Sequence, residues 1–168
     1  MNNLWKSSFI KSDMDAPYNI VKEQCNFLRN GTDGIIVAKV VDFDASLFIN
    51  LTDSGKIVND INKNSFGLYI SDNNKVYNKF TYEFYITTSY TLNYKYRILL
   101  FQYGIPFYPL TIITDENISN ELALSLPITC ETYENFIITL EKILNSKTVL
   151  NVISSLLKIA YENEKLQK

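Results

Sequence analysis

Val76, Phe80, Tyr82, Phe84 and Ile86 share one parity, and Lys79, Thr81, Glu83 and Thr87 share the other. A period of two over this length describes a strand with one covered face and one wet face. Such a strand cannot stand alone. It needs neighbours for its backbone groups and a second layer for its apolar side.

The flanking sequence supplies both. Residues 35–43 are β-branched and mostly apolar, and Leu47, Ile49 and Leu51 alternate, as do Phe66, Leu68 and Ile70. Residues 94–101 begin as alternation and end apolar on both sides, and residues 107–114 return through a segment holding Pro109, which is expected at an edge or a bulge. Around this block lie helical patterns. Pro17 opens the first helix, Val21, Cys25 and Leu28 form its stripe with Ile20 and Phe27 beside them, and Gly31 is the expected left-handed cap. Asp115 is positioned to cap a short helix over 116–124, and Thr132 to cap a longer one carrying Phe136, Ile137, Leu140, Ile143 and Leu144. The step of five from Leu144 to Val149 throws the apolar stripes out of phase at about 100° per residue. A break at Asn145 and Ser146 is therefore expected, followed by a last helix that frays over 162–168. The reading is an α+β single domain over residues 1–168. Its antiparallel, meander-like sheet has about six strands, with an N-terminal helix and two or three C-terminal helices packed on one face.

The chain contains no histidine, which excludes Ser-His-Asp and Cys-His chemistry and removes the commonest zinc ligand. Cys25 and Cys130 stand far apart and form no C-x-x-C; they are expected to serve as small buried hydrophobes in a reducing compartment. Residues 1–15 lack a continuous apolar run, and the most apolar stretch, 98–113, is broken by Gln102, Gly104, Pro106 and Pro109. Neither is the pattern of a signal peptide or a membrane span, so the expected location is cytoplasmic, with no membrane partner. A net charge of −2 with only two arginines argues against tracking nucleic-acid phosphates. The excess of Asn, Ile, Lys and Tyr fits a low-GC genome, bacterial or phage.

Motifs for chemistry are sparse. Asp42, Asp44 and Ser46 open with calcium-loop spacing, but Leu47 stands where the loop needs glycine and the twelfth position is Asp53 rather than Glu. Asp42, Asp44 and Glu83, with Lys95 nearby, are the carboxylates from which a small metal-dependent nuclease or hydrolase could be assembled. Glu83 and Lys95 read equally well as a cross-strand ion pair. With five glycines there is no phosphate-cradling loop, so no catalytic residue, metal or cofactor is assigned. Tyr69, Tyr77, Tyr85 and Arg97 have the outward parity in their strands, and Tyr and Arg are the residue types that carry binding energy at protein interfaces. A turn near Thr91 brings Tyr85 opposite Arg97, with the guanidinium expected over the ring. The leading expectation is a non-catalytic, immunity-like binding protein that engages a protein partner, neutralising a toxin or effector or serving as a complex subunit. A small-ligand-binding domain with an aromatic pocket between sheet and helices is the third reading.

Overall fold

The computed structural model describes residues 14–43, 80–91 and 93–166. Its elements run α1 (Pro17–Gly31), β1 (Ile36–Asp42), β2 (Phe80–Thr88), β3 (Tyr96–Tyr103), β4 (Leu110–Thr114), α2 (Glu116–Glu121), β5 (Ile128–Cys130), α3 (Tyr133–Leu144) and α4 (Lys147–Leu166). The five strands form one antiparallel sheet in the order β1-β2-β3-β4-β5. This is the expected α+β meander, with five strands in place of six among the described residues. Four of the five were expected. The strands expected at 47–51 and 66–70 lie outside the described residues, and β5 was not foreseen.

Strand register divides the side chains between two faces. One row runs Val40, Phe84, Leu99 and Thr114, and another runs Tyr82, Phe101, Ile112 and Ile128. These residues belong, fully or partly buried, to a core shared with Ile20 and Val21 of α1, Phe136, Leu140 and Ile143 of α3, and Val149, Leu156 and Ala160 of α4, with Thr114 a fully buried neighbour. On the opposite face, Val37, Val41 and Leu100 stand outside that core, although Leu100 is buried. The helices therefore cover one side of the sheet, here called the inner face.

Local chemistry explains most of the boundaries. Pro17 occupies the first turn of α1, where its missing N–H costs no hydrogen bond. Gly31 is still helical, and the positive φ angles fall on Asp33 and Gly34, whose N–H donates to the Arg29 carbonyl at 2.8 Å. The left-handed termination thus comes later than the expected one at Gly31. Thr32 sets that delay: its buried hydroxyl donates to the Leu28 carbonyl at 2.8 Å and accepts from the Ile36 N–H at 3.3 Å, clasping α1 to β1. Phe27, expected beside the buried stripe, is 60% exposed. Pro109 precedes β4, which is an interior strand, so the proline removes no ladder donor and marks neither edge nor bulge.

The two N-cap expectations hold. Asp115 accepts from the Asn117 N–H at 2.9 Å and Thr132 from the Asn135 N–H at 3.2 Å. Helices α3 and α4 are separated at Asn145 and Ser146, and the Ser146 hydroxyl accepts from the Val149 N–H at 3.3 Å. Helix α4 continues to Leu166, through most of the stretch expected to fray. Among the described residues, no helix is long and apolar enough to cross a membrane.

Candidate functional site

A β-bulge builds the outer face. Phe84 pairs with Leu99, but the next residue, Tyr85, pairs with Arg97, leaving Ile98 as an extra residue in β3. In a regular strand, Leu99 facing inward would also turn Arg97 inward, against the core. The extra residue lets Ile98 and Leu99 both be buried while Arg97 faces out. The Thr114 hydroxyl donates to the Ile98 carbonyl at 2.7 Å and so supplies a partner at the distorted point of the ladder.

Two outward rows cross the sheet side by side. Lys39, Tyr85 and Arg97 form one, and Val41, Glu83, Leu100 and Ile113 form the other. Glu83 is only 4% exposed, flanked by Val41 and Leu100 of its own row. Both of its cationic partners come from β3 or the turn before it. Lys95 Nζ lies 2.6 Å from Oε2, and Arg97 Nε donates to Oε1. The side chain of Lys95 is 45% exposed and that of Arg97 22% exposed. Lys95 also stands over the Tyr85 ring at 4.3 Å, and Arg97 over the Phe43 ring at 5.7 Å.

The structure thus brings Tyr85 and Arg97 together, with one change of partner. The cation over Tyr85 is Lys95, whereas Arg97 stands over Phe43. Tyr69 and Tyr77 lie outside the described residues. Lys39, Glu83 and Lys95 belong to the same cluster but were not assigned to the binding face from sequence. The ion pair of Glu83 with Lys95 is the one expected from sequence; the place of Lys39 beside Tyr85 follows from strand register.

The carboxylates proposed for a metal do not converge. Asp42 is opposite Tyr82 and Glu83 is opposite Val41, so the two carboxylates project from opposite faces of the sheet. Asp44 lies outside the described residues. Among the described residues, no three Asp, Glu or Cys side chains gather closely enough to hold a metal ion. The aromatic residues between sheet and α1 pack against one another. Tyr18 and Tyr82 are 4.9 Å apart, Tyr82 and Phe101 5.3 Å, and Tyr82 and Tyr103 5.9 Å. Burial, with a hydrogen bond to Tyr82, holds the Tyr103 phenol above its ordinary range. Cys130 is buried, and Cys25 is half-buried with its thiol directed at the Val21 carbonyl, 3.5 Å away. Burial pushes the Cys25 thiol up to about 11, which keeps it protonated and poorly nucleophilic at neutral pH. Comparison with family models, curated proteins and solved structures finds no match for this chain.

Proposed function

We propose that this chain is a non-catalytic, cytoplasmic binding protein that engages a protein partner through the outer face of its sheet. The class of role is neutralisation of a toxin or effector, or service as a complex subunit. The observation that carries the reading is the bulge at Ile98, which turns Arg97 outward beside Tyr85. Bulges of this kind re-aim side chains next to functional sites and bend the strand that holds them. Around that point the side chains are held before any partner arrives. Glu83 holds Lys95 and Arg97, and Lys95 covers the Tyr85 ring. Fixed Tyr and Arg side chains lose little rotamer entropy on binding, the property that makes such residues hot spots.

The test is affinity capture from the encoding organism with wild type, Tyr85→Ala and Tyr85→Ala/Arg97→Ala. Loss of Arg97 leaves a buried carboxylate with one partner, so urea unfolding must be matched before captures are compared. Tyr85→Ala alone leaves the ion pairs in place and is the cleaner variant. A partner that desolvates this cluster should lose about 2 kcal/mol or more of affinity with either variant. Equal recovery of the same partner by all three proteins would remove the outer face from consideration and point to the helices.

A further inference from the structure

Among the described residues, the outer face differs in sign from the molecule that carries it. The whole chain has a net charge of −2, yet among the described residues this face carries three cations, Lys39, Lys95 and Arg97, and one carboxylate, Glu83. That carboxylate is 4% exposed and already engages two of the cations. Lys39 is exposed on the neighbouring strand and makes no ion pair among the described residues. Adjacent strands stand about 4.8 Å apart, so Lys39 and Arg97, two strands removed, are separated by about 10 Å, or three residues of extended chain. That is about one Debye length at 0.1 M ionic strength, so the cations act on an approaching ligand as one patch.

We propose that the outer face takes a carboxylate-rich segment of a partner protein, with Lys39 at one end of the contact and Arg97 and Lys95 at the other. This rests on the reading of the outer face as the binding surface and names the chemistry it recognises. A patch opposite in sign to the rest of the molecule orients an acidic partner toward this face and speeds its arrival. Nucleic acid fits less well. Three cations neutralise about three phosphates, far from the 6–10 contacts of a typical tight nucleic-acid complex.

Defined probes and the full chain provide the test. Fluorescence anisotropy compares labelled polyglutamate, polylysine of equal length and a single-stranded oligonucleotide, at about 50 and about 200 mM salt. Polyglutamate should bind, should weaken as salt rises, and should lose roughly tenfold in affinity with Lys39→Glu, a substitution at an exposed side chain with no ion pair to disturb. Lys39→Gln and Lys95→Gln should lose less, each removing one charge without reversing it. Polyglutamate binding that is absent, or unchanged in Lys39→Glu, overturns the proposal. So does polylysine binding as tightly as polyglutamate. Tighter binding of the oligonucleotide overturns it in favour of a nucleic-acid partner. A captured partner that is lost with Tyr85→Ala but held undiminished by Lys39→Glu at both salt concentrations keeps the outer face as the interface and removes the acidic partner.

Discussion

Glu83 shows how far a single residue's role depends on its neighbours in space. Alternation along β2 puts it on the face away from the core, where a carboxylate is expected to be wet. Register then places it between Val41 and Leu100, and the apolar flanks exclude water while Lys95 and Arg97 reach in with donors. A buried carboxylate with two charge-assisted partners is costly to alter, because its charge keeps both cations in place. Glu83→Gln should therefore lower stability to urea by about 1–3 kcal/mol. Lys95→Gln, at the exposed end of the same network, should cost about 0–1 kcal/mol. Equal losses from the two substitutions would show that the carboxylate is solvated in solution.

At the scale of elements, the first turn of α4 is capped by one side chain from another helix. Glu121, the last residue of α2, accepts from the N–H groups of Lys147 and Thr148 at 2.6 and 2.9 Å, and from the Thr148 hydroxyl at 2.8 Å. It supplies acceptors that α4 needs for its first turn. The Thr148 backbone donor, aided by the Lys147 N–H and the Thr148 hydroxyl, holds this carboxyl below its ordinary range. A depressed folded value means the stabilisation is present above the unfolded pKa and fades as pH falls through the folded one. Wild type should therefore exceed Glu121→Gln in stability near neutral pH, with the gap closing below about pH 4; a gap that persists in acid would contradict the cap. Core packing contributes more than this cap. Leu140 on α3 and Leu156 on α4 are both buried, and truncating either to alanine should cost about 2–5 kcal/mol in chemical denaturation. A loss below about half a kcal/mol would mean that the stripe is not packed as described. The two stripes and the break between them were legible because a step of five residues cannot keep one helical phase. Strand β5 was not, because three residues after a proline carry too little periodicity to register.

For the whole molecule, the faces of the sheet decide which chemistries can assemble. Asp42 and Glu83 stand on adjacent strands, one register position apart, but lie on opposite faces, so they cannot share an ion. Mg²⁺, Mn²⁺ and Ca²⁺ should accordingly leave the thermal midpoint unchanged, whereas a site filled at 100 times its dissociation constant would add about 2.7 kcal/mol. A clear shift that Asp42→Asn abolishes would restore the carboxylate reading. The α+β order, the inward parity of Phe84 and Ile86, two of the helix caps and the absence of imidazole chemistry are all legible in the residues alone. Each of these is a property of periodicity, of a residue and its near neighbours, or of composition. The pairing of Tyr85 with Arg97 was also legible, from the turn near Thr91; the placing of Lys39 beside that pair, the bulge in β3, the burial of Glu83 and the seat of Lys95 over Tyr85 came only with the folded sheet. These depend on which strands meet and with what offset. One extra residue in β3 exchanges the two faces for every side chain beyond it, and that offset is settled by packing two apolar residues, Ile98 and Leu99, into the core at once.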